Sequence, residues 1–229
     1  AAGATLVLPE TLWAPSEFHD KISQAGVTVM DLTPSYWREV VGHSTDADVA
    51  DQSIRLLILG GAAVSNLDLK DARALYPHAR VLNAYGLTET GITTCLSEVP
   101  DINALEDGPA AVGFPLDGAR VRILDTHGAP VADGHSGDVA VSGRLALGTT
   151  HGTAGLDPLP TVTLDGHRFY LTGDTGSLDP DSGLLITGRA DRQLKIRGYR
   201  VDPEEVESIL RGHDAISDAA VLGDSEGTR

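Results

Sequence analysis

Up to Ala110 the chain alternates short apolar runs with amphipathic stretches, a pattern that predicts alternating strands and helices. Residues 5–8, 27–30, 54–59 and 80–83 are β-branched or continuously apolar and are closed by Pro or Gly, as strands are. Between them, 16–25, 35–41 and 67–75 carry helical periodicity, with Ser16 and Ser35 as expected N-caps. Strands alternating with helices imply a parallel sheet with both faces covered. Ligands of such sheets sit beyond the carboxyl ends of the strands, where the Gly60-Gly61 and Tyr85-Gly86 turns fall.

After Gly113-Phe114-Pro115 the texture changes. Residues 121–124, 138–141, 169–172 and 184–187 read as short strands separated by Gly, Asp and Pro turns, which suggests a small antiparallel β-barrel. Arg189-Ala190-Asp191 leads into a hairpin centred on Arg197-Gly198. Pro203 then opens a helix running to about Arg211, a position where its missing N–H costs nothing. Residues 148–160, rich in Gly, Thr and Pro, read as a mobile loop. The expected organisation is an α/β core over 1–112, the barrel over 113–190 and the start of a further α+β subdomain over 191–229.

A length of 229 residues with 41% hydrophobic content permits one or two domains and a sizeable core. Seventeen basic against 33 acidic residues give a net charge of −16, which argues against nucleic acid as a partner, because phosphate binding needs a basic face. The acidity fits either a large soluble assembly or a high-salt or actinomycete-like cytosol, and composition leaves both open. No apolar run approaches the ~18 residues of a membrane span. No signal-peptide pattern opens the chain. The lone Cys95 excludes an internal disulfide and any multi-Cys metal site, which makes a reducing cytoplasm the expected location. The eight His residues lack metal-ligand spacing. Ser65, Ser142 and Cys95 lack a nucleophile elbow or a base partner.

Three segments carry the chemistry: Asn83-Ala84-Tyr85-Gly86-Leu87-Thr88-Glu89-Thr90, Tyr170-Leu171-Thr172-Gly173-Asp174, and the block from Gly188 to Arg200 that continues into Val201-Asp202-Pro203-Glu204-Glu205-Val206-Glu207. Singly each has a plain structural reading: a strand with a Gly turn, a Gly-Asp turn, an exposed basic hairpin. In this order and spacing they resemble the adenylate-forming enzymes, and the third block most resembles the amino-acid-activating adenylation domains of nonribosomal peptide synthetases. Leu87 stands where that pattern usually has Pro, a variant shared with acyl and aryl ligases.

The resemblance implies a division of labour. Tyr85 would stack on adenine, Asn83 would bond its amino edge, and Gly86 would let the backbone approach the nucleotide. Thr88 would donate to the α-phosphate and Glu89 would hold Mg²⁺. Asp174 would accept from both ribose hydroxyls, and Arg189 would add a bidentate oxyanion contact. Gly61, Ala62, Ala63, Ala84, Ile186 and Lys195 would complete the ATP-binding set, and Asp191 would be the hinge of a rotating C-terminal subdomain. The acyl pocket would be lined by Asp31, Ile58, Gly60, Ala84, Ile92 and Thr93. For Asp31 a second reading stays open, a cap on the Thr33-Pro34 turn.

The activity implied is ATP-dependent formation of an acyl-adenylate, with an amino acid as substrate. Transfer to the phosphopantetheine thiol of a carrier protein follows, and a small MbtH-like accessory protein is a further partner. Two alternatives remain: an acyl- or aryl-CoA ligase, and a non-catalytic adenylation fold serving as a docking platform. The family's phosphate loop and terminal lysine are not matched in this stretch, so it reads as a piece of a larger enzyme, inactive alone in pyrophosphate exchange.

Overall fold

The computed structural model describes residues 3–45, 53–98, 105–143, 149–152, 155–190, 194–196, 199–201, 203–211, 213, 216 and 219–222. The chain divides into two compact units: residues 1–84 with 96–110, and residues 85–95 with 111–229.

In the first unit, strands β1 (Val29–Leu32), β2 (Leu56–Gly60), β3 (Arg80–Tyr85) and β4 (Cys95–Glu98) lie in that order. β1, β2 and β3 are parallel, with Asp31 beside Ile58 and Gly60 beside Ala84. Helices α1 (Phe18–Gln24), α2 (Pro34–His43) and α3 (Asn66–Leu75) pack on one face of the sheet. There Phe18, Ile22, Trp37, Val40, Leu69 and Ala72 meet Met30, Leu57, Leu59 and Val81 in a single core. Among the described residues the expectation of two covered faces is not met: Val29 stays 47% exposed, and Ile58 and Leu82 on the same side are only half-buried. Right-handed crossovers stepping in one direction from β1 to β3 place both connecting helices on the same side.

Three local expectations also change. Residues 5–8 form no strand, and Leu6 and Leu8 are exposed, because among the described residues no neighbour supplies a ladder. Ser16 lies inside a 3-10 turn (Pro15–Glu17) ahead of α1 rather than capping it. Ser35 falls inside α2, whose N-cap is Thr33, because the fixed φ of Pro34 suits the first helical position. Ser65 is a true N-cap of α3, closing a capping box with Asp68.

The second unit is antiparallel. It contains β5 (Phe114–Pro115), β6 (Arg120–Leu124), β7 (Ser136–Ser142), β8 (Thr149–Gly152), β9 (Gly155–Pro158), β10 (Thr161–Leu164), β11 (His167–Asp179) and β12 (Gly183–Arg189). The main sheet runs β10-β11-β7-β6, with β12 also on β11. The expected barrel does not close. One edge of the 13-residue β11 is shared, β10 taking residues 167–170 and β12 taking 174–179, while among the described strands β6 pairs with β7 alone. Tyr85, Cys95, Val112, Val121, Val139, Val141 and Leu184 fill its core. Within the expected loop at 148–160, residues 149–152 and 155–158 instead pair antiparallel as β8 and β9. Strands β13 (Leu194–Ile196) and β14 (Tyr199–Val201) pair antiparallel as expected, and α4 spans Pro203–Arg211. The turn residues Arg197 and Gly198, and Asp191, lie outside the described residues.

Candidate functional site

Strand β11 carries Asp174 to a point opposite Arg189 on β12, the two being register partners. Arg189 Nη1 donates to Asp174 Oδ1 at 2.6 Å. From far earlier in the sequence the Tyr85 hydroxyl donates to Asp174 Oδ2, also at 2.6 Å. The Thr172 hydroxyl bonds the Val139 carbonyl at 2.9 Å while its oxygen accepts the Asp174 N–H at 3.0 Å, which fixes the carboxylate's direction. Asp174 is 3% exposed. A charge so buried is tolerated only when paired and hydrogen-bonded, and here both oxygens are. Burial, then the Asp174 charge and the hydrogen bond to it, hold the Tyr85 phenol above its ordinary pKa, so it remains a donor at every working pH.

The loop after Tyr85 folds back tightly. Thr94 N–H donates to the Tyr85 carbonyl at 2.7 Å and Ile92 N–H to the Leu87 carbonyl at 3.0 Å. A side chain at residue 86 would put its Cβ 1.9 Å from the Ile92 oxygen, so only Gly fits. Gly91 and Ile92 follow with φ of 82° and 77°; for a β-branched residue this is strained backbone. Buried Thr90 locks the turn: its hydroxyl donates to the Leu87 carbonyl, and its oxygen accepts Leu87 N–H and the Thr94 hydroxyl, the last at 2.8 Å. Sequence reasoning gave Thr90 and Thr94 no role. Thr90 lay in plain view in the motif, but its function is to hold Thr88 and Glu89 rather than to meet a ligand. Thr88 is exposed, and one carboxylate oxygen of Glu89 is buried.

In the first unit, strand register puts Asp31, Ile58, Gly60 and Ala84 on one side of the sheet, the side without helices. Asp31 makes no hydrogen bond to the Thr33-Pro34 turn, where the Thr33 hydroxyl meets Ser35 instead, so the capping alternative is not what the structure shows. Asn83 points to the helix-covered side and is 1% exposed, its amide donating to the Ala110 carbonyl at 3.4 Å. The Gly61-Ala62-Ala63 loop leaves β2 with Gly61 at φ 79°. Ile186 lies on β12 and Lys195 on β13. Cys95 is fully buried and its thiol is pushed up to about 12 by burial, which removes it as a nucleophile. Among the described residues no group of three His, Cys, Asp or Glu is placed to hold a metal. No described helix is long and apolar enough to cross a membrane.

Residues 1–150, well over half of the chain, match the sequence profile of the family described as AMP-binding enzyme. The chain belongs to this family. Its curated relatives include surfactin synthase subunit 2 of Bacillus subtilis, 33% identical over 97% of this chain and 6% of that protein. Another is the isonitrile lipopeptide synthase of Streptomyces coeruleorubidus, 33% identical over the whole chain and 15% of that protein. Among solved structures, an artificially fused adenylation–PCP di-domain nonribosomal peptide synthetase from Klebsiella oxytoca superposes with a TM-score of 0.76 at 25% identity, over 92% of this chain and 39% of that one. The chain therefore has the α/β fold of adenylate-forming enzymes, and it spans a small part of the curated relatives it matches.

Proposed function

We propose that this AMP-binding chain supplies nucleotide- and acyl-binding residues of an enzyme that activates an amino acid with ATP and passes it to a carrier protein. In the first step a carboxylate oxygen attacks the α-phosphorus, the bond to the β-phosphate breaks and pyrophosphate leaves. In the second a phosphopantetheine thiolate attacks the acyl carbon and AMP leaves. The observation that carries this reading is the meeting of Tyr85, Asp174 and Arg189, which joins residues of all three sequence motifs by hydrogen bonds. The family match, the peptide-synthase relatives and the PCP-bearing structural neighbour support it.

In the second unit, Asp174 accepts the ribose hydroxyls, with Tyr85 orienting it through the hydroxyl and stacking its ring on adenine. Thr88 donates to the α-phosphate and Arg189 holds an oxyanion, with Ile186 and Lys195 completing this set. Glu89 would hold a magnesium ion, since such ions commonly use only one or two protein carboxylates. Magnesium supplies charge neutralisation of the phosphates. Ile92 and Thr93 contribute to the acyl pocket. In the first unit, Asn83, Ala84 and the Gly61-Ala62-Ala63 loop serve adenine, and Asp31, Ile58, Gly60 and Ala84 serve the acyl group. Asp31 favours a substrate side chain with an amine or hydroxyl donor. Residues 113–190 and 191–229 act as separate subdomains hinged at Asp191, in the cytoplasm, with an MbtH-like protein as accessory.

The test is ATP–pyrophosphate exchange by the full-length protein. Glu89→Ala should slow exchange ~10²-fold, the usual cost of losing one preorganised electrostatic contact. Near wild-type exchange at saturating magnesium would overturn the assignment.

A further inference from the structure

The helix-covered side of the first unit contains a second buried carboxylate, and it holds a loop rather than a ligand. Asp68, in the first turn of α3, is 2% exposed. Its Oδ2 accepts the Ser65 N–H at 2.7 Å and the Ser65 hydroxyl at 2.8 Å. Arg38 on α2 closes on it with two parallel bonds, Nε to Oδ1 and Nη2 to Oδ2, both at 2.7 Å. Arg38 Nη2 also reaches the Ala63 carbonyl at 3.3 Å. Beside it, Trp37 Nε1 donates to the Asp68 carbonyl at 3.1 Å in a fully buried contact.

A helix cap needs none of this. A Ser and an acidic residue three positions on satisfy the first turn of α3 at the surface, whereas burying the acid adds a desolvation cost that the arginine must offset. Such an arrangement specifies geometry more than it adds stability. What it specifies is the loop from Gly60 to Ser65, which is held at three points. Gly60 lies so close to Ala84 that an added Cβ would come within 2.8 Å of the Ala84 oxygen. Ala63 is tied through its carbonyl, and Ser65 through its N–H and hydroxyl. Between these points Gly61 takes a left-handed φ, and the loop leaves the carboxyl end of a central parallel strand, where ligands of such sheets bind.

We infer that Arg38 and Asp68 are positioning residues that set the Gly60–Ser65 loop for nucleotide binding. The inference rests on the reading of that loop as an adenine-side element. Arginine is required because its planar fork serves both carboxylate oxygens and the Ala63 carbonyl together, while a lysine ammonium on a flexible stem can keep the charge pair without fixing that geometry.

The experiment measures ATP–pyrophosphate exchange, direct ATP·Mg²⁺ binding by calorimetry and thermal unfolding on the full-length protein, for wild type, Arg38→Lys and Arg38→Ala. Arg38→Lys should keep its unfolding temperature close to wild type yet raise KM for ATP roughly tenfold, as small displacements of binding groups do. Its kcat and its KM for the carboxylic acid should stay near wild type. Arg38→Ala should show the same KM rise together with lower stability. Unchanged ATP affinity in both variants, whatever happens to stability, would overturn the inference and leave the proposed function standing. Wild-type protein that neither binds ATP nor exchanges pyrophosphate would overturn both.

Discussion

Two buried aspartates, one in each unit, look alike by exposure and by their arginine partners, yet their surroundings differ in how fully they are used. Asp68 receives four donors, two from Arg38 and two from Ser65. Asp174 receives two at its carboxylate, from Tyr85 and Arg189. An ionised carboxylate offers about four lone-pair sites, so the first is saturated and the second retains capacity for two more donors. Saturation marks a group spent on the scaffold. Spare capacity on a rigidly aimed, buried carboxylate suits the proposed ribose contact, in which two hydroxyls would bring two donors.

The sharpest way to break this contrast is Asp68→Ala. It removes the acidic half of the α3 capping box and the two hydrogen bonds from Arg38, and should cost about 3 kcal/mol in denaturant unfolding. A cost below about 1 kcal/mol would mean the saturated site is not structural. Asp174→Asn should keep most of the packing but weaken ATP binding at least roughly tenfold, about 1.4 kcal/mol, measured by calorimetry. If Asp174→Asn instead matched Asp68→Ala, losing stability with ATP affinity intact, the two carboxylates would be equivalent and the contrast would fail. Tyr85→Phe tests the same carboxylate from its partner's side. Losing one donor to a charged group while keeping the ring in the core should lower stability by about 1–2 kcal/mol, read by denaturant unfolding against wild type. No change would show that the hydroxyl does not orient Asp174.

Strand–helix alternation up to β3 could be read from the sequence, because 56–60 and 80–85 are apolar on a buried face and α3 carries its own cap. The ladder partner of 5–8 could not be read, since strand pairing is a property of neighbours rather than of a run. The same limit hid the β8–β9 hairpin inside a Gly-, Thr- and Pro-rich stretch, and the open edges of a sheet that read as a barrel. In the site, the motif spelling pointed to Tyr85, Asp174 and Arg189 individually. It did not show that the tyrosine hydroxyl bonds the aspartate, because that contact needs the β11 register and the fold-back at Gly86. Arg38 and Asp68 carried no legible signal: thirty residues separate them, and either alone reads as an ordinary surface charge on a helix.

The bond between Tyr85 and Asp174 links residues 89 positions apart. Closing so long a loop costs chain entropy before any contact repays it, whereas the β11–β12 and β6–β7 hairpins close over short connections. The hairpins therefore cost less chain entropy to close than the contact between the tyrosine hydroxyl and its carboxylate, which also depends on the core around Cys95 and Leu184. On the proposed function, a nucleotide that needs the oriented carboxylate would select molecules whose second unit is fully assembled, and by mass action would pull incompletely folded chains toward that state.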